Sequence, residues 1–122
     1  MEPLVILVTD NVLLISRAVD SLCQLNYRVM EQRDPAALVA TAREQRPLFV
    51  IMDLRLKLND PCAAITALKS DPATKHVLVL AFGDDANPAA LDRARQAGAD
   101  MVTPADAISH HLPQLIDQLL AL

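Results

Sequence analysis

The chain has 122 residues, 52% of them hydrophobic and 21% charged, with a formal net charge of −4 and only two glycines. That is one domain's worth of chain, able to bury a continuous core, and its composition excludes disordered and collagen-like classes. With no basic run to set against the negative balance, nucleic-acid binding is not expected, because recognition of a phosphate backbone needs clustered Lys and Arg.

Aromatic residues make up 2% of the chain, so the core is built from Leu, Val, Ile and Ala and has few surfaces for stacking bases or sugars. No apolar stretch is long enough to span a bilayer. The start, Met1-Glu2-Pro3-Leu4, lacks the cationic opening of a secretory signal and leads straight into a strand, so the expected location is cytoplasmic. Cys23 and Cys62 both fall in apolar helical patterns and read as buried, reduced thiols rather than a disulfide.

Leu4 to Val8 is an unbroken apolar run of strand length, ending at Thr9-Asp10-Asn11, where Asp10 or Asn11 can cap a helix. The spacing of Ile15, Ala18, Val19 and Leu22 predicts that helix over about 12–25, with Asn26 as its stop. Tyr27 to Met30 reads as a short second strand. Asp34-Pro35 is a capping residue followed by proline at the first helical position, so a helix over 35–44 follows. Leu48 to Met52 is a third buried run, ending at Asp53. A loop over 54–60 leads to a second Asp-Pro start at Asp60-Pro61 and a helix to about Ser70. Val77 to Ala81 is the fourth run, ending at Phe82-Gly83. Asn87-Pro88 opens a helix that stops at Gly98, Met101 to Thr103 is a brief fifth strand, and a last helix carries Leu112, Leu115, Ile116 and Leu119 on one stripe.

Strands alternating with helices require crossover connections and hence a parallel sheet. The predicted fold class is α/β: a flavodoxin-like, doubly wound, five-stranded parallel sheet of order 2-1-3-4-5 with five helices, forming a single domain over 1–122. In such sheets ligands bind at the carboxyl ends of the strands, at the switch point between strands one and three. That rule selects Thr9 and Asp10 after strand one, Asp53 after strand three, Gly83 after strand four and Ala105 just past strand five. Two carboxylates, Asp10 and Asp53, facing one crevice would repel, and a proton or a cation would relieve them. The plainer reading is that Asp10 caps the first helix and Asp53 a loop.

The segments Ile6-Leu7-Val8-Thr9-Asp10-Asn11, Val50-Ile51-Met52-Asp53-Leu54-Arg55-Leu56, Leu68 to His76 and Gly98-Ala99-Asp100, in this order and spacing, resemble those of two-component response-regulator receiver domains. The resemblance covers essentially the whole chain. It implies that Asp53 is the acceptor of a phosphoryl group from a histidine kinase. It also implies a Mg2+ site made by Asp10, Asp53 and the backbone carbonyl of Arg55. The chain departs from that pattern at Thr9, where a second acidic residue is usual, at Gly83 in place of Ser or Thr, at Val102 in place of an aromatic ring, and at Ala105 in place of Lys. Losing one carboxylate weakens a magnesium site. Losing the lysine removes charge that would neutralise the phosphoryl oxygens. Arg55 and Lys57 are candidate substitutes: either could fold back onto Asp53 and Asp10 as a permanent charged ligand, or both could be solvated loop cations.

His76, His110 and His111 read as surface residues, since neighbours on a helix face different ways. Asp84-Asp85 reads as a polar loop. The chain holds no Gly-rich phosphate loop, nucleophile elbow or CxxC. Three functions compete. One is a stand-alone, phosphorylation-independent or weakly phosphorylated receiver-like interaction module; a second is a working Mg2+-dependent phospho-acceptor in a phosphorelay; the third is a flavodoxin-like enzyme or small-ligand binder. The first is favoured, and no enzymatic activity is expected. Partners would be proteins, a histidine kinase or a downstream effector, with a homodimer also compatible and no nucleic acid or membrane involved. The resemblance places the interface on the fourth helix, fifth strand and fifth helix, near the extra apolar residues Leu120 and Leu122.

Overall fold

The computed structural model describes residues 2–121. Five strands, β1 (Leu4–Val8), β2 (Arg28–Gln32), β3 (Phe49–Asp53), β4 (Leu78–Gly83) and β5 (Met101–Pro104), form one sheet in the order β2-β1-β3-β4-β5, every pairing parallel. The three central strands are buried along almost their whole length, whereas the edge strands β2 and β5 are only partly so. Those three are the unbroken apolar runs, as expected of strands covered on both faces.

Between the strands run α1 (Val12–Gln24), α2 (Leu38–Gln45), α3 (Pro61–Ser70), α4 (Pro88–Ala97), α5 (Ala105–His110) and α6 (Leu112–Leu120). Because strand side chains alternate, each central strand feeds two cores. Val5, Leu7, Phe49, Ile51, Leu80 and Phe82 pack under α1, α5 and α6. Ile6, Val8, Val50, Met52, Val79 and Ala81 pack under α2, α3 and α4. Asn11, Asp60 and Asn87 each cap their helix through a side-chain oxygen that accepts a backbone N–H. Gly98 ends α4 with φ of 116°, a left-handed conformation that disfavours any side chain.

Six α-helices form where the sequence predicts five. The last predicted helix, with His110-His111 near its start, forms as α6, and a separate short helix, α5, precedes it; the two part at His111, which leaves helical geometry with φ of −131°. Pro113 explains the break: it lacks an N–H and its ring clashes with the carbonyl four residues earlier, so the helix restarts with proline in its first turn. Similarly, the helix expected from Pro35 opens as a 3-10 turn over Pro35–Ala37 before α2 begins. Cys62 is half-buried but Cys23 is exposed, contrary to the expectation of two buried thiols, because it falls outside the Leu14-Ala18-Leu22 stripe of α1; both are free. Among the described residues no helix is long and apolar enough to cross a membrane. Leu120 is exposed, and Leu122 lies outside the described residues.

Candidate functional site

The parallel register of β1 with β3 pairs Val8 with Met52, which sets Thr9 and Asp53 side by side at the carboxyl edge of the sheet. Both are buried, Thr9 at 0% and Asp53 at 1% exposure. The Thr9 hydroxyl donates to Asp53 Oδ2 at 2.7 Å and accepts the Asn11 N–H at 3.2 Å. Three more donors reach Asp53 from Arg55. Its backbone N–H meets Oδ1 at 2.9 Å, its Nε meets Oδ1 at 3.0 Å, and its Nη2 meets Oδ2 at 3.2 Å. An ionised carboxylate has about four lone-pair sites, and all four of these donors converge on Asp53.

The planar guanidinium grips both oxygens at once, the geometry that distinguishes Arg from Lys. It also lies over Phe82, with Cζ 5.6 Å from the ring centroid. Phe82 is the β4 register partner of Asp53, so one strand pairing positions both the carboxylate and the platform beneath its counterion. The Arg55 pKa is raised, first by its hydrogen bond to Asp53 and further by the charges of Asp53, Asp10 and Asp84, against burial that lowers it.

The candidate residues separate accordingly. Of the two candidate cations, Arg55 folds back and Lys57 does not: Lys57 is exposed, with no ion pair among the described residues. Asp10 is exposed and does not cap α1, a role that Asn11 takes, and it too forms no ion pair. Asp53 is thus paired with the Arg55 side chain, and Asp10 is not. Among the described residues no group of three or more His, Cys, Asp or Glu side chains is placed to hold a metal ion. With both Asp53 oxygens engaged by the Arg55 guanidinium, a Mg2+ ion binding there would have to displace that group.

Beside Arg55 opens a cleft of about 340 Å3, lined by Gly83, Asp84, Asp85, Pro104, Ala105 and Asp106. Gly83 and Ala105 stand there without a hydroxyl or a positive charge, and three carboxylates line the wall. Asp84 and Asp85, expected as a polar loop, belong to this wall. Asp106 was not singled out from the sequence, although it directly follows Ala105. Val102 is half-buried and packs against the α2–α4 core. The three histidines are exposed, with His111 in the break between α5 and α6.

Gly83 has a packing reason that no sequence pattern shows. A Cβ at this position would lie 3.3 Å from Leu54 Cβ and 3.3 Å from Leu91 Cδ2. Introducing the usual hydroxyl by Gly83→Thr is expected to cost about 1–3 kcal/mol through overpacking, as a lowered midpoint in urea denaturation. A loss of under about 0.5 kcal/mol would show that Leu54 and Leu91 yield freely.

No protein-family model matches the sequence, and no curated protein matches it. Solved structures do. The receiver domain of a sensor histidine kinase from Pseudomonas aeruginosa, with magnesium coordinated in its active-site cleft, superposes with a TM-score of 0.87 at 22% identity over 100% of both chains. A Chloroflexus aurantiacus protein classed as a response regulator gives 0.90 at 17% identity over 100% of both chains. The phosphorylated cyanobacterial phytochrome response regulator RcpA gives 0.84 at 19% identity over 98% of this chain and 95% of its own.

The chain has the receiver-domain fold. Strand order, crossovers and extent all agree with it, along the same stretch that carries the sequence resemblance. Within the receiver fold, Thr9, Asp53 and Arg55 lie at the β1–β3 switch point and the acidic cleft lies over the ends of β4 and β5.

Proposed function

We propose that this chain is a receiver-type module of two-component signalling that acts through protein contacts while Asp53 stays unphosphorylated. The observation that carries this reading is the saturation of Asp53 by four donors, two of them from the Arg55 guanidinium. An aspartate that accepts a phosphoryl group attacks with a free carboxylate oxygen, and positioned cations neutralise the charge that develops on the transferred group. Here neither oxygen is free, and the nearest cation is spent on the nucleophile itself. The neighbouring cleft offers Gly83 and Ala105 where a hydroxyl and a lysine would help, and Asp84, Asp85 and Asp106 oppose an incoming anion. Its partner is then a protein, a histidine kinase or an effector, that recognises one fixed surface, and Mg2+ binds weakly because Arg55 already occupies its place. The chain has no enzymatic role in this reading.

The test is an NMR titration of the labelled domain with millimolar Mg2+ and then beryllofluoride, which mimics a phosphoryl group on aspartate. The expected result is unchanged amide resonances at Thr9, Asp10, Asp53, Arg55 and Gly83. Shifts at these residues that vanish in Asp53→Ala would instead establish a working acceptor. One observation favours that second reading: Asp10 is exposed and has no ion pair among the described residues, and the Arg55 side chain is 38% exposed on a loop, so the clasp has room to open.

A further inference from the structure

We infer, on the reading of Asp53 as a closed carboxylate, that Gly83 is the positioning residue of the Arg55–Asp53 clasp: by leaving room for Leu54 at the end of β4, it aims the guanidinium at the carboxylate. The last register pair of β3 with β4 joins Asp53 to Phe82, and the bonding runs one residue further, where the Leu54 N–H donates to the Phe82 carbonyl at 2.8 Å. Leu54 therefore lies beside Gly83. Leu54 and Leu56 pack with the core under α2, α3 and α4, whereas Phe82 belongs to the core under α1, α5 and α6. Arg55, between the two leucines, is turned to the Phe82 side, with its Cζ 5.6 Å from that ring. Seating Leu54 on one face of the sheet thus commits Arg55 to the other, where Asp53 receives it.

The fit at Gly83 leaves no slack. A Cβ there would lie 3.3 Å from Leu54 Cβ and 3.5 Å from its Cδ1, and 3.3 Å from Leu91 Cδ2. The Leu91 contact is the end of a flexible side chain on α4, and a change of rotamer relieves it. The contact with Leu54 Cβ is made by an atom bonded to the main chain, so only a shift of the Leu54 backbone relieves it. Arg55 follows directly. Its backbone N–H and its Nε hold Asp53 Oδ1 at 2.9 and 3.0 Å, and its Nη2 holds Oδ2 at 3.2 Å. A hydrogen bond weakens steeply once its length and angle leave a narrow range. A shift at Leu54 is passed to all three bonds, and the longest, from Nη2, is lost first. The side chain missing at 83 and the arginine present at 55 are then two parts of one device.

The exchange of the Arg55 Nε proton with solvent, followed by 15N NMR at slightly acidic pH, reports the clasp directly. In wild type it is expected to be at least about tenfold slower than that of Arg33, which is exposed and has no ion pair among the described residues. Gly83→Thr is expected to bring the Arg55 rate to within about threefold of the Arg33 rate. Should that variant not fold, Gly83→Ala, which adds the Cβ alone, carries the comparison with an expected rise of about threefold. Ile65→Val trims the same core away from the loop and controls for lost stability; it leaves the Arg55 proton as in wild type. Protection of Arg55 that survives a side chain at 83 in full overturns the positioning role and leaves the closed Asp53 standing. An equal loss in Ile65→Val overturns it as well, since stability alone would then account for the effect. A wild-type Arg55 proton that exchanges as fast as that of Arg33 overturns the closed Asp53, and this inference with it.

Discussion

Replacing Arg55 with Met lowers the stability of the domain by about 2 kcal/mol, and adding Asp53→Asn returns most of that loss. Removing one partner of a buried ion pair leaves an uncompensated charge and costs about 3–5 kcal/mol when both groups are buried. Asp53 meets that condition at 1% exposure, but the Arg55 side chain is 38% exposed, so water screens part of the pairing and the smaller figure applies. The bidentate geometry and the Phe82 contact keep it above the roughly 0–1 kcal/mol of an ordinary surface pair. With Asn at 53 there is no buried charge to strand, so the two substitutions couple by more than about 1 kcal/mol in a double-mutant cycle. Urea denaturation of the four proteins measures this directly. A cost of under about 0.5 kcal/mol for Arg55→Met would class the pair with solvated surface bridges and remove the case for a closed site.

Thr9→Asp, which installs the acidic residue usual in the resembled family, destabilises the domain by about 3 kcal/mol in the absence of divalent ions. Thr9 is fully buried and donates its hydroxyl to Asp53. The substitution deletes a hydrogen bond to a charged acceptor, worth about 1.5–3 kcal/mol, and sets a second buried carboxylate against the first. A single guanidinium cannot neutralise both. The loss should shrink when Mg2+ is added, because a cation binding only the folded state stabilises it by mass action. Thr9→Val, isosteric and uncharged, separates the two contributions by losing the hydrogen bond alone. A Thr9→Asp protein as stable as wild type without metal would mean that the site tolerates a second charge and that Thr9 has no special part in shielding Asp53.

Together these substitutions address why the carboxyl edge looks depleted. Thr9, Gly83 and Ala105 read from the sequence as lost pieces of a switch. In the folded chain Thr9 is a donor to Asp53, and Gly83 leaves the space that Leu54 and Leu91 fill. The first shields the carboxylate and the second is set by packing. Ala105, half-buried at the start of α5, packs against the core under α1, α5 and α6.

The sequence by itself determined the alternation of strands and helices and hence a parallel α/β sheet, because these follow from local periodicity and capping; the strand order and the edge at which the site lies followed from the general rule for doubly wound sheets. Strands buried on both faces must be apolar runs, as at Leu4–Val8 and Phe49–Met52, and Asp or Asn before proline starts the helices at Pro61 and Pro88. The short helix α5 before His111 was not anticipated, although Pro113 marks a new helix start just after it. What only the tertiary structure decided is the state of Asp53. Thr9 and Asp53 are 44 positions apart and meet only because β1 pairs with β3 in one register. Arg55 and Lys57 carry like charge on the same loop, and no periodic pattern ranks them. The turn after β3 directs Arg55 over Phe82 and onto the carboxylate and leaves Lys57 in solvent. An ion pair of this kind depends on a few tenths of a nanometre set by strand docking and loop torsions, and those exist only once the chain has folded.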